Sequence, residues 1–159
     1  MALTKIIEIA RWVAAGAGIY WGYSLVDPVQ GFRMMSLVIV LSIAGLTGLE
    51  SLFLAESAAE KSGYGKGSPY QRQSGFNNLA VAITMILVWL LGWGVKAMAA
   101  VTIVMLVFLV LSAANHAYSA IKEGNRSIIN LLRPLLTGVL LGGVLPSMVM
   151  AFMAESSGG

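Results

Sequence analysis

The sequence predicts an all-α fold, a polytopic transmembrane helix bundle with five spans. Three observations lead to this fold class. Of the 159 residues, 58% are hydrophobic and 11% are charged, whereas a soluble domain is about 25% charged. The mean hydropathy is +0.83. The apolar residues also form runs of about 20, the length that a helix needs to cross a hydrocarbon core about 30 Å thick, without the alternating polarity of a transmembrane barrel.

Turn signals separate the predicted spans. Asp27-Pro28 is expected to follow the first span, and the sequence GWGVKAM around Lys96 to divide the third from the fourth. The glycine of IKEGNRS, 121–127, is expected to end the fourth span as a C-cap, and Pro146 to kink the fifth. The prediction is a single transmembrane domain, 1–159, with spans at 6–26, 34–55, 77–95, 98–121 and 128–154 and a cytoplasmic loop at 56–76.

Basic residues set the predicted orientation. Cytoplasmic loops are enriched in Lys and Arg, and five spans place eight of the ten basic residues on the side of the N-terminus. We therefore expect a multi-pass protein of the cell membrane, an inner membrane, with the N-terminus in the cytoplasm and the C-terminus outside. Since this topology accounts for the charge of +3, the lipid bilayer and not a nucleic acid is the expected partner. The eight are Lys5, Arg11, Lys61, Lys66, Arg72, Lys122, Arg126 and Arg133, and Arg33 and Lys96 lie on the other side.

The long polar side chains of the predicted spans fall in the cytoplasmic half. Glu50 lies roughly 8–9 Å inside the second span, and His116 lies at a similar depth in the fourth. An ionisable group in a bilayer costs roughly 2.5–3.5 kcal/mol, so we expect both to point inward and to meet each other, Arg133 or the asparagines. Glu8 and Arg11 share one face of the first span and are expected to snorkel to the headgroups. The predicted ligand-binding residues of the polar pocket are Glu50, Gln71, Gln73, Asn77, Asn78, Asn115, His116, Asn130 and Arg133.

The residue types in this pocket leave three interpretations open. Glu50, Glu56 and His116 offer donors for a divalent metal such as zinc, iron or manganese, but the chain has a single histidine, no Glu-x-x-His pair and no cysteine. The same geometry suits a quinone or another lipid-derived headgroup, with His116 donating to a carbonyl and Glu50 relaying protons. Alternatively, Glu50 forms a buried pair with His116 or Arg133 that only fixes the helix register.

Small residues recur at helix-packing intervals in three of the predicted spans. In lipid, such residues let helix backbones approach closely. The pattern therefore indicates packing within the bundle or, alternatively, a homo-oligomer interface. The residues are Ala14, Gly18 and Gly22 in the first span, Ala44 and Gly48 in the second, and Gly138 and Gly142 in the fifth.

Three stretches resemble a family of small uncharacterised polytopic membrane proteins of archaea and bacteria. They are Leu49-Glu50, SPYQRQSGFNNLA at 68–80 and NHAYSAIKEGN at 115–125. The resemblance covers about 45–125 and implies a membrane helix bundle with a shared polar site, but no established activity. In that family an acidic residue often follows the SP-aromatic-Gln motif, where this chain has Gln73. Loss of that carboxylate weakens a two-carboxylate metal site.

The sequence favours a membrane protein that binds a small ligand or a metal in this pocket, with a redox- or lipid-linked role. A transporter or channel subunit is the first alternative, although the outer half offers no ionisable lining for a route across the membrane. A structural or partner-binding membrane protein is the second. No phosphate-binding loop is indicated, because GYGKGS lacks the GxxxxGK[ST] spacing, and the sequence does not decide whether the protein is an enzyme.

Overall fold

The computed structural model describes residues 2–57 and 69–157, and within these ranges the chain is helical with short connections and no β-strand. The predicted all-α class is therefore confirmed. A π-helical segment, Leu41–Gly45, joins α2 to α3, so that Pro28–Phe53 forms one long helix. The α-helices are α1 Ala2–Ser24, α2 Pro28–Val40, α3 Leu46–Phe53, α4 Pro69–Leu90, α5 Val95–Lys122 and α6 Ile128–Ser157.

Four helical segments of the described chain are long and apolar enough to cross a membrane. They are Pro28–Phe53, Gln71–Leu90, Val95–Lys122 and Leu131–Ser157. The protein is therefore a helical membrane protein. The remaining helix, α1, has 23 residues and is long enough by the same geometry, but it carries Lys5, Glu8 and Arg11.

Prolines begin two of these helices earlier than predicted. Asp27 caps α2, because its Oδ1 accepts a hydrogen bond from the backbone N–H of Val29 at 2.9 Å, and Pro28 occupies the first helical position. The second helix therefore begins at Pro28 and not at 34. α4 likewise begins at Pro69 and not at 77, so the polar part of SPYQRQSGFNNLA is helical. Residues 58–68 of the predicted loop lie outside the described residues.

Glycines with positive φ shape the other two connections. Gly92 and Gly94, with φ of +65° and +88°, lie in the break between α4 and α5, which comes slightly before the predicted division at Lys96. Gly124, with φ of +71°, follows α5, and the N–H of Asn125 bonds the carbonyl of Ser119 at 3.1 Å. The predicted glycine C-cap at IKEGNRS is thus confirmed. α6 continues through Pro134 and Pro146.

Several of the small residues do bring helix backbones together. A Cβ on Gly31 would clash with the carbonyl oxygen of Gly22, and a Cβ on Gly48 would lie 2.9 Å from the backbone nitrogen of Leu79. Glycine is required at these two crossings, α1 with α2 and α3 with α4. A Cβ at Gly138 or at Gly142 would meet nothing within 4 Å. The homo-oligomer predicted from this pattern stays a prediction.

The two ends of the bundle differ in chemistry. We call the N-side half the part that contains the beginnings of α1, α4 and α6 and the ends of α3 and α5. The opposite half is filled by fully buried apolar side chains, among them Phe32, Met35, Met85, Met98 and Val144. The N-side half instead buries Arg11, Glu50, Asn78 and His116. The predicted concentration of long polar side chains at one end is thus seen in the structure.

Candidate functional site

A buried arginine joins the first and second helices in the N-side half. Arg11 on α1 and Glu50 on α3 are each 3% exposed, and 2.7 Å separates Arg11 Nη2 from Glu50 Oε2. Parting the two helices here would leave an uncompensated charge in an apolar surrounding. Glu50 points to the interior, as predicted. The expectation that Arg11 snorkels to the headgroups is wrong, because its charge is neutralised inside the bundle.

Glu8 completes the surroundings of Arg11. Its Oε2 accepts a hydrogen bond from Arg11 Nη1 at 2.8 Å, and its Oε1 accepts one from Trp12 Nε1 at 2.8 Å. Residues at i, i+3 and i+4 lie on one helical face, so a single stretch of α1 supplies all three side chains. The guanidinium bridges carboxylates of two helices, which its planar fork of N–H groups allows and a lysine ammonium does not reproduce.

One N–H group of Arg11 is left over in this arrangement. Arg11 Nε is buried and has no hydrogen-bond acceptor among the described residues. An unsatisfied buried donor costs about 1–3 kcal/mol. The site therefore favours a water or ligand that brings an oxygen atom to this nitrogen.

A second arginine lies on the other side of the N-side half. His116 on α5 is 4% exposed, and its Nε2 is 3.1 Å from Nη1 of Arg133 on α6. Since a guanidinium has only donors, Nε2 accepts and the imidazole is neutral. The contact exists because the turn at Gly124 reverses the chain and brings the end of α5 beside the start of α6. One of the predicted partners of His116, Arg133, is thus found.

A cavity lies between the two arginines. Its volume is about 40 Å³. This is room for a few water molecules, since one water needs about 10–15 Å³. Arg11 and Arg133 both line it, whereas Glu50 and His116 do not line it and instead contact these two arginines. The polar groups of its wall are Glu8, Arg11, Thr47, Asn78, Ser112, Arg133 and Thr137.

The other predicted site residues take different positions. Asn78 is 5% exposed, lines the cavity and donates from Nδ2 to the carbonyl of Ser74 at 2.9 Å. Gln71 is half-buried. The side chain of Asn130 lies outside what the structure describes. The exposed ones, none of which lines the cavity, are Gln73, Asn77 and Asn115.

The donors predicted for a metal do not come together. Within residues 2–57 and 69–157, no three His, Asp or Glu side chains form a group that could hold a metal ion. Glu56 is exposed, Glu50 is paired with Arg11, and His116 contacts Arg133. A cation at either buried group would also lie beside a guanidinium, which repels it. The geometry therefore gives no support to the metal interpretation.

A comparison with protein-family models finds one that matches residues 9–157, almost the whole chain. The chain belongs to the DUF6790 family. This is a family of unknown function, which agrees with the resemblance to an uncharacterised membrane protein family. The match spans every element that supplies the cavity of this DUF6790 protein, including the part of α1 with Arg11. No curated protein and no solved structure matches the chain significantly.

Sequence reasoning missed the contribution of α1 to the site of this DUF6790 protein. Glu8, Arg11 and Trp12 all line the cavity, whereas the sequence predicts that Glu8 and Arg11 snorkel to the headgroups and indicates no role for Trp12. A signal was available, because Arg11 lies well inside the first predicted span and a buried carboxylate needs a cation at its own depth. The hydroxyl-bearing residues Thr47, Ser112 and Thr137 carried no such signal, since Ser and Thr are common in membrane helices.

Proposed function

We propose that this protein binds a small membrane-borne molecule in the cavity of the N-side half. The observation that carries the proposal is that a buried ion pair, Arg11 with Glu50, and a part-buried hydrogen bond, Arg133 with His116, each place an arginine at the wall of one cavity. Ionisable groups inside a membrane are expensive and usually serve a site. A pair that only fixed helix register would need neither the cavity nor the acceptor-free Nε of Arg11.

The same proposal includes the membrane topology. We place α1 across the cell membrane as a fifth span, with the N-side half toward the cytoplasm and the C-terminus outside. The charges of α1 support this placement, because Arg11 is neutralised by Glu8 and Glu50 within the bundle and so does not oppose insertion. Exposed aromatic side chains at the other end of the bundle fit an interfacial belt. These are Tyr20, Trp21, Tyr23, Trp89 and Trp93.

The opposite half favours binding over transport. Its interior is filled by Phe32, Met35, Met98 and other side chains that are at most 2% exposed. A polar substrate would have to displace this apolar layer to cross the membrane. The cavity therefore serves a molecule that enters and leaves within one half of the bilayer.

Thermal unfolding in lipid nanodiscs tests the proposal. We would add a decyl-tailed benzoquinone, a fatty acid or a lysophospholipid to the protein and to the variant Arg133→Gln. A ligand at 100 times its Kd raises Tm by about 5–10 °C in a chain of this size. We expect at least one probe to do so in the unsubstituted protein and to lose the effect in Arg133→Gln.

Arg126→Gln is the matched control, because Arg126 is exposed on the connection before α6. It should keep the full Tm shift. If every probe leaves Tm unchanged, or if the shift is as large in Arg133→Gln as in Arg126→Gln, the cavity is not a binding site for these molecules and the proposal is withdrawn.

A further inference from the structure

A groove on the membrane-facing surface adjoins the cavity. It lies between α1 and α6 and has a volume of about 330 Å³, at the lower end of the 300–1,000 Å³ typical of ligand pockets. Apart from Glu8 and Arg133, its walls are apolar. Glu8, Trp12 and Arg133 line both the groove and the cavity, so the two spaces are neighbours at these three residues.

α1 and α6 pack closely against each other at the end away from the groove. In the opposite half the phenol of Tyr23 donates to the carbonyl of Gly143 at 2.9 Å, and a Cβ on Gly143 would lie 2.7 Å from Ile19 Cδ1. Toward the N-side the two helices leave the groove between them. Ile9 and Val13 on its edge are 64% and 66% exposed, so the groove opens sideways to the lipid.

The cavity limits the head that such a ligand can carry. Its 40 Å³ holds a few polar atoms, which excludes a phospholipid headgroup. Arg11 also lies five residues after the start of the first predicted span at residue 6, roughly 7–8 Å along the helix. The head must therefore be compact and able to leave the interface.

Charge indicates that the head is uncharged. Arg11 already contacts two carboxylates, Glu8 at 2.8 Å and Glu50 at 2.7 Å. A further anion at its Nε would lie beside both carboxylates and be repelled by them. The arginines supply only donors, so a head with acceptor oxygens fits, and Trp12 offers a flat aromatic surface for a ring.

We propose that the groove between α1 and α6 is the lateral entrance and tail site for an isoprenoid-type quinone, whose carbonyl reaches the arginines of the cavity while its ring lies against Trp12. This inference rests on the proposed function and names its ligand class. The quinone enters from the N-side leaflet, head first, and its tail remains between Val13 and Leu136. Binding alone is proposed, with no electron transfer.

Quenching of Trp12 fluorescence tests this assignment, because quinones quench a tryptophan that they contact. The substitutions Trp21→Phe, Trp89→Phe and Trp93→Phe leave Trp12 as the single reporter of the four tryptophans. We would titrate this protein in phosphatidylcholine nanodiscs with the decyl-tailed benzoquinone. Saturable quenching is expected, whereas random collisions in the bilayer give quenching that rises linearly.

The variant Val13→Phe narrows the groove. It should raise the quinone concentration for half-maximal quenching about tenfold, because roughly two methylene groups of the tail would no longer be buried. Val107→Phe is the matched control, because Val107 is 53% exposed and lines a different apolar groove between α5 and α6. It should leave the titration unchanged. If Val13→Phe fails to fold, Leu136→Phe narrows the same groove from α6.

Two outcomes separate this inference from the function on which it rests. If quenching is linear, or is equal in Val13→Phe and Val107→Phe, while the fatty acid or the lysophospholipid still raises Tm in an Arg133-dependent way, the quinone assignment is wrong and the cavity still binds a ligand. If no probe raises Tm either, both proposals fail.

Discussion

Arg11 is the residue on which the polar site depends. It contacts two carboxylates from different helices and lines the cavity, and it is 3% exposed. Its removal would take from the buried Glu50 a cation that lies 2.7 Å from its carboxylate. Stability at this site is therefore set by the completeness of the ionic contacts.

We predict that Arg11→Met lowers the free energy of unfolding by about 3–5 kcal/mol, the range found when one partner of a buried ion pair is removed. Lys5→Met, at an exposed position on the same helix, should change it by less than about 0.5 kcal/mol. Reversible unfolding in mixed micelles of increasing SDS content measures both. Equal effects of the two substitutions would contradict the importance given to the buried pair.

The residue scale also shows where sequence reasoning succeeds. The positions of Glu50, Asn78 and His116 in the predicted spans correctly predict that they are buried. The reason is that a polar side chain at such a depth is costly when it faces lipid. The partner of Glu50 was not identified, since Arg11 is 39 residues away in sequence. No local pattern shows which helices become neighbours.

At the scale of helices, the apolar runs of the sequence do not show at which residue a helix begins. α2 and α4 start at Pro28 and Pro69, ahead of the apolar runs that predict their spans. The first turns carry polar side chains, Gln30 and Arg33 in α2 and Gln71, Arg72 and Gln73 in α4. The apolar runs predict that these helices exist. Their first residues could be predicted only from the preference of proline for the first helical position.

The crossing of α3 with α4 yields a test at this scale. Gly48→Ala would place a Cβ 2.9 Å from the backbone nitrogen of Leu79 and 3.1 Å from the carbonyl oxygen of Gly75, and neither backbone atom can move alone. We predict a loss of about 1–3 kcal/mol from overpacking, measured by the same SDS titration. Gly142→Ala, which meets nothing within 4 Å, should be neutral or slightly stabilising. The reverse order of these two effects would contradict the packing described here.

The whole molecule is asymmetric across its length, with apolar packing in one half and a polar cavity in the other. Sequence alone anticipated this asymmetry through the distribution of polar side chains. It did not anticipate the cavity volume or the lateral groove, because both depend on how far α1 and α6 diverge after their contact at Gly143. The distance between two helices depends on how all the helices pack, which no local sequence pattern shows.

The proposed five-span topology can be tested with single cysteines, since the chain has none. We predict that Leu3→Cys and Lys122→Cys react with a membrane-impermeant maleimide only after the membrane is permeabilised. Val26→Cys and Ser157→Cys should react in intact cells. All four positions are exposed. Leu3→Cys is decisive, because labelling of this residue in intact cells would mean that α1 does not cross the membrane.

The π-helical segment Leu41–Gly45 has a consequence for how this gene tolerates changes in length. A π turn accommodates one residue more than regular α-helical winding. Loss of one codon within 41–45 would restore that winding and leave Glu50 directed at Arg11. Loss of one codon between 46 and 49 would instead turn the carboxylate by about 100° around the helix axis, away from its arginine and toward the acyl chains. Natural one-codon deletions in this helix should therefore be found in the first stretch and not in the second.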